Sequence, residues 1–142
     1  VVSSSSARSV LLELQRATHA TLQVLASELV TLKLNPSEIN VLANLADGRC
    51  RTVSELAREV GSRPTTLTSM LDRLEGRGLL GRATRAGDRR VVVIELTDAG
   101  LTTARTIRTA FTRLERRALA GLPADQVAAL RAGLRALAEV SP

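Results

Sequence analysis

At 142 residues the chain has the length of about one domain with a core of its own. Apolar residues make up 44% but aromatics only 1%, Phe111 being the sole one, so the core has to be aliphatic, and the net charge of +6 points to anionic partners. No apolar run reaches the ~18 residues of a membrane span, Glu13 and Arg16 interrupt the one candidate signal segment, and Cys50 has no second cysteine for a disulfide, so a cytoplasmic protein is expected.

Ser3 to Ser6 read as part of a disordered tail, residues 1–6. Val10, Leu14, Ala17, Thr21, Leu25, Leu29 and Leu32 then recur at spacings of three and four, one face of a long first helix. Asn35, Pro36 and Glu38 supply a cap, a first-turn proline and an acid for a second helix running to about Ala46. Thr52 and Glu55 form a T-x-x-E capping box for a third, short helix ending near Val60 and closed by Gly61. Pro64 opens a fourth helix, Thr65 to about Arg77, which Gly78 ends.

The period then changes. Leu79 to Thr84 and Val91 to Leu96 are strand-like runs around a charged, glycine-containing loop. Thr97 and Asp98 cap a long helix carrying Leu101, Ala104, Ile107, Phe111, Leu114 and Ala118. Gly121 and Pro123 break it and start a last helix, with Val127, Leu130, Leu134, Leu137 and Val140 on one face. The predicted fold class is mainly α with a small β-hairpin: a winged helix-turn-helix at 34–97, flanked by helical regions at 7–33 and 98–142.

The central segment carries the chemistry. Two short capped helices joined by GSRP are a helix-turn-helix candidate. On the second, Leu67, Met70, Leu71 and Leu74 form the buried face, which leaves Arg63, Pro64, Thr65, Thr66 and Ser69 near the start where base edges of a major groove are reached. Taken alone, these threonines and the serine also fit plain cap and surface positions. A charged hairpin directly after them makes the unit a winged helix. From Ser62 to Arg90 there are seven arginines against three acids, a local +4 of the total +6, and such clustering suits a phosphate footprint. Arginine's planar fork suits phosphates and base edges. A GC-rich genome also gives nineteen arginines to one lysine, Lys33, but it does not explain where they cluster. Asp88 repels phosphate, and makes sense there if its carboxylate aims a neighbouring arginine; an aimed guanidinium reads the width of a minor groove.

LNPSEINVLANLA, TVSELAREVG, TLTSMLDRLEGRGLL and GDRRVVVIELTDAG, in this order and at these separations, resemble the corresponding segments of the MarR family of bacterial transcription regulators. The resemblance runs from about Leu34 to Leu101. It implies a homodimer on a pseudo-palindromic operator in double-stranded DNA, usually a repressor released by a small ligand. The family's wing carries Asp-x-Arg, here Asp88 and Arg90, with the arginine in the minor groove. Arg73, Arg77, Arg85 and Arg89 are then phosphate contacts, although Arg73 also has Asp88 or Asp72 as an alternative partner. Where the family's recognition helix commonly begins Ser-Arg-Ser, this chain has Arg63, Pro64 and Thr65, and a commonly basic position is Ser69. Any borrowed base preference lapses there, with Arg63 the candidate to replace it. Val10, Leu14, Leu130, Leu134 and Leu137 are the expected dimer contacts.

No cofactor, metal site or catalytic group is expected. There is no nucleophile elbow, no glycine-rich phosphate loop after a strand, and one His with one Cys far apart in sequence. His19 reads as a surface or hydrogen-bonded residue, with a place near an effector pocket as the rival reading. Cys50, between Arg49 and Arg51, has neighbours that lower a thiol's pKa. A nonspecific or architectural DNA binder, or a protein-interaction winged helix, is the alternative function.

Overall fold

The computed structural model describes residues 8–141. Residues 1–6, expected as a tail, and the start of the 7–33 region at residue 7 lie outside them. Six α-helices and one hairpin follow in chain order: α1 Val10–Glu28, α2 Pro36–Leu45, α3 Val53–Val60, α4 Pro64–Gly76, β1 Leu80–Arg85, β2 Asp88–Leu96, α5 Asp98–Leu119 and α6 Ala124–Ala138.

The helix starts follow the capping chemistry. Asn35 accepts from the Glu38 N–H, Thr52 and Glu55 form the reciprocal capping box, and Thr97 accepts from the Gly100 N–H. Two boundaries differ from the sequence reading by three residues or more. The first helix stops at Glu28, and the chain continues as a 3₁₀ turn, Val30–Leu32. That turn keeps a three-residue repeat, so the apolar spacing persists to Leu32 after the α-helix has ended. The second strand begins at Asp88, three residues earlier than Val91, because Arg85 pairs with Asp88 across an Ala86-Gly87 turn. The register slips between Thr84 and Arg85 to allow it, and Gly87 takes φ 86°, which a side chain would oppose.

The core is aliphatic. Leu42, Leu45, Leu56, Leu67, Leu71, Leu74, Leu80, Ile94 and Ile107 are fully buried. Leu25 and Leu29 from the first region and Ala104, Ile107 and Ala110 from α5 join the same cluster, so packing runs across both expected boundaries, 33/34 and 97/98. Burial of one such leucine stabilises by about 1.5–3 kcal/mol, and nothing aromatic is required. Phe111 only packs against the cluster's edge. α6, by contrast, has no buried residue.

The hairpin is anchored at its base. Thr97 donates its backbone N–H to the Leu79 carbonyl at 3.1 Å and its hydroxyl to the Gly78 carbonyl at 2.6 Å. The first turn of α5 is pressed against the same spot, so that a Cβ on Gly100 would lie 1.7 Å from the Leu79 oxygen. Replacing Gly100 by alanine forces α5 off the hairpin and should cost about 1–3 kcal/mol. Thermal unfolding of the Gly100→Ala variant checks this: a fall of several degrees in Tm is expected, and an unchanged Tm removes the close approach.

Candidate nucleic-acid interface

The second helix of the helix-turn-helix begins with Pro64 at its first position, where a missing N–H costs nothing. Arg63 is the N-cap, and its side chain makes no capping hydrogen bond to the first-turn N–H groups. An uncapped N-terminus presents backbone donors and the positive end of the helix dipole. Arg63, Pro64, Thr65, Thr66 and Ser69 are all exposed, while Leu67, Met70, Leu71 and Leu74 are buried beneath them. Gly61, in the left-handed region at φ 72°, turns the chain between the two helices. Burial thus separates the candidate contact residues from the core along the faces that the helical period predicts.

The wing tip is fixed by Asp88, though not in the manner expected. Its Oδ1 accepts from the backbone N–H of Arg90 at 3.0 Å. Its ion-pair partner was expected to be an arginine side chain; among the described residues it has none. A short carboxylate two residues before a donor closes a tight local ring, so Asp88 sets the backbone direction at Arg90 and leaves that guanidinium unpaired. Arg89 and Arg90 are both exposed and, among the described residues, without a carboxylate partner. Arg85 instead bonds Glu55 at 3.1 Å and ties the wing to the first turn of α3. Glu55's carboxyl is held below its ordinary pKa, first by the Thr52 backbone N–H and then by Arg85.

Arg51 holds the other flank of the hairpin, a residue that the sequence reading passed over. Its backbone exchanges two hydrogen bonds with Ile94, N–H to O at 3.2 Å and O from N–H at 2.6 Å, forming a one-residue third strand beside β2. The side chain is 8% exposed and lies between two carboxylates, Asp47 Oδ2 at 2.6 Å and Glu59 Oε2 at 2.5 Å. Burying a guanidinium this far is costly unless its donors are met, and here both acids and the Arg49 carbonyl meet them. Asp47's carboxyl is pulled far below the usual carboxylate range, chiefly by the hydrogen bond from Arg51.

Three other basic residues of the cluster are engaged within the fold. Arg73 lies 3.6 Å from Glu38, a buried acid on α2, and not against Asp72 or Asp88. Asp72 pairs at 2.9 Å with Arg82, which also bonds Glu75. Arg77, expected at phosphate, donates to the carbonyls of Lys33 at 3.0 Å and Leu32 at 2.9 Å. Lys33 stands there at φ 54°, the one non-glycine residue of positive φ among those described, so Arg77 steadies an unfavourable turn. A carboxylate some residues away in sequence, but adjacent across helices, is the signal that would have identified these ties; spacing within one helix does not show it.

Cys50 is exposed, but the expected lowering of its pKa is reversed. Partial burial and then Glu95, 3.6 Å from the sulfur, raise it, because Arg51 is turned inward to its own acids. His19 is exposed on α1 and within 3.0 Å of the Gln23 amide, so it takes the hydrogen-bonded role. The terminal candidates are exposed or half-buried: Val10 71%, Leu130 43% and Leu134 42%, with Leu14 and Leu137 partly covered. All five line one apolar groove of about 960 Å³ between α1 and α6. No helix among the described residues is long and apolar enough to cross a membrane.

This recognition helix and wing define a winged helix-turn-helix protein. The MarR family model matches residues 34–92, the segment just described. The HTH-type transcriptional repressor MdtR of Bacillus subtilis (strain 168) is 39% identical over 67 residues, which are 47% of this chain and 43% of that protein. The chain spans less than half the length of the curated relatives it matches, 43% and 45%. Over nearly full length, the solved transcriptional regulator PA3341 is 32% identical, with a TM-score of 0.79 and coverage of 89% of this chain and 94% of that one. CouR from Rhodococcus jostii RHA1, solved bound to p-coumaroyl-CoA, has the same fold, with a TM-score of 0.84 at 24% identity over 96% of each chain. The chain belongs to the MarR family, whose named relatives are transcription regulators and not enzymes.

The tip geometry generates a paired test. Arg90→Ala should weaken binding to a selected DNA site by at least ~1 kcal/mol with little change in Tm, since its side chain supports nothing in the fold. Asp88→Ala should lose part of the same affinity although it removes a negative charge, because the Arg90 backbone is released. Fluorescence-anisotropy titration measures both. Unchanged affinity for Arg90→Ala, or tighter binding by Asp88→Ala, contradicts these roles.

Proposed function

We propose that the chain is a sequence-specific DNA-binding transcription regulator, a repressor that binds a pseudo-palindromic operator as a homodimer. In this reading residues 34–97 are the DNA-binding lobe and 7–33 with 98–142 the dimerising region. The observation that carries it is the sorting of arginines: the ones left without a carboxylate on this lobe include Arg63 at the recognition helix and Arg89 and Arg90 at the wing tip. Arg63, Pro64, Thr65, Thr66 and Ser69 enter the major groove, and Arg90, set by Asp88, enters the flanking minor groove. Arg89 is the principal phosphate contact, with Arg85 able to add to it by leaving an exposed ion pair, whereas Arg73 adds to it only by leaving the buried Glu38. Arg77 is withdrawn from that group by its two carbonyl bonds.

The exposed apolar face of the terminal helices supports a second copy as partner. Val10, Leu130 and Leu134 stand out of the fold beside the groove between α1 and α6, and contiguous exposed leucines mark an interface. Two-fold pairing there sets two recognition helices about one DNA turn, ~10 bp, apart. A smaller cavity of about 410 Å³ lies between α1, α2 and α5, lined by Leu22, Leu25, Ile39 and Phe111 among others, with Thr18, Thr21, Ser37 and Asn40 as its polar groups. No ionisable side chain lines it, so an effector taken there is uncharged at its buried end. Asn40 also donates to the Val60 carbonyl at 3.4 Å, just before the turn into the recognition helix, which gives such a ligand a route to the DNA-binding face.

Two measurements test the proposal. Sites selected from random DNA should be palindromic and should outcompete scrambled duplex by at least ~10³-fold at physiological salt; equal affinity for both makes the chain a nonspecific or architectural binder. Leu134→Asp should give monomers by light scattering and lose most operator affinity. A surviving dimer moves the interface away from α6.

A further inference from the structure

A second group of unpaired arginines lies on α5, outside the recognition lobe. Arg105, Arg108, Arg113 and Arg116 are exposed, and none has a carboxylate within ion-pair distance among the described residues. With Thr109 and Thr112 they line one wall of a groove of about 750 Å³, closed on the other side by Ala46 and Asp47 at the end of α2. They fall in two pairs three residues apart, joined at four-residue steps through Thr109 and Thr112 into one stripe, and the helix rise from Arg105 to Arg116 spans about 16 Å.

Two features separate this stripe from an ordinary solvated face. Like charges three apart oppose a helix, and the one acid in this half of α5, Glu115, turns away to Arg131 on α6 at 3.4 Å. The groove's own acid is already occupied: Asp47 bonds the Arg51 guanidinium at 2.9 and 2.6 Å and has Arg49 at 3.5 Å. Four fixed cations therefore face a concave space whose only carboxylate is spoken for.

We propose that this groove binds a small molecule carrying two or more phosphate groups, a polyphosphate ester or inorganic polyphosphate. Planar guanidinium forks bind phosphate oxygens in pairs, and a row of them at helical spacing matches phosphates linked in a short chain. Thr112 adds a hydroxyl donor, while Thr109's hydroxyl is already given to the Arg105 carbonyl at 3.0 Å. The volume is that of a small-molecule site. DNA held by the wing is a poorer occupant. α5 leaves the hairpin at its base, where Thr97 meets Gly78 and Leu79, and Arg105 lies about 10 Å further along the helix.

The full chain titrated with sodium tripolyphosphate at constant ionic strength tests this, read by calorimetry and by Tm. Saturable binding at least ~10-fold tighter than sulfate is expected, with a rise in Tm. The double variant R108Q/R116Q, whose removed charges repel one another and are exposed, should stay folded by circular dichroism and lose at least ~10-fold in tripolyphosphate affinity. R63A/R90A should bind tripolyphosphate as the parent does. Equal affinity for sulfate overturns the proposal in favour of simple ion screening, and loss of binding in R63A/R90A assigns the anion to the DNA face. Loss of DNA affinity in R108Q/R116Q with tripolyphosphate binding intact makes the groove part of the DNA footprint. The outcome does not depend on whether the chain prefers an operator.

Discussion

The buried guanidinium of Arg51 is the interaction on which the geometry of the lobe depends. Its backbone adds a third strand to the hairpin at Ile94, and its side chain draws the end of α2, through Asp47, and the end of α3, through Glu59, to one point. An arginine 8% exposed is tolerated only because both acids and a carbonyl meet its donors. The consequence is mechanical. The wing is held at its flank by Arg51 and at its base by Thr97 and Gly100, so the tip projects from a rigid support and does not have to be ordered by DNA.

From this support follows a division of labour among residues of one type. Arg82 joins the end of α4 to β1 through Asp72 and Glu75, Arg77 braces the turn at Lys33, and Arg85 links the wing to α3. Arg63, Arg89 and Arg90 have no such work. The same charge thus builds the lobe in one set of positions and faces outward in another. Composition records only the sum of the two sets. A phosphate footprint inferred from the total of seven arginines counts some residues whose charge is already balanced inside the molecule.

Much of the architecture was legible in the sequence because it rests on local chemistry. Asn35, the Thr52–Glu55 box and Thr97 start their helices where a side-chain oxygen meets an orphan N–H, and such pairs lie within three residues. The buried face of α4 followed from its period alone. What escaped was non-local or backbone-directed. Asp88 bonds a backbone N–H, Arg73 finds Glu38 on another helix, and Arg51, besides the nearby Asp47, pairs with Ile94 on β2, far along the chain. The Cys50 pKa was misjudged in direction for the same reason: its sequence neighbour Arg51 is not its spatial neighbour, and Glu95, from β2, is. The strand start at Asp88 was hidden by its charge, which reads as loop although Arg85 and Asp88 pair across the turn.

The central claim is that arginines released from ion pairs meet the DNA while those bound to carboxylates hold the lobe. The salt dependence of operator binding separates the two sets most directly, because each phosphate contact removed lowers the slope of log K against log salt by about 0.9. Measured on a selected site, Arg89→Ala should lose about one unit of slope and leave Tm unchanged. Arg82→Ala should keep the parent slope and lower Tm slightly, by the ~1 kcal/mol or less of an exposed ion pair. An Arg82→Ala slope that falls as far as that of Arg89→Ala contradicts the division, and with it the account of the wing.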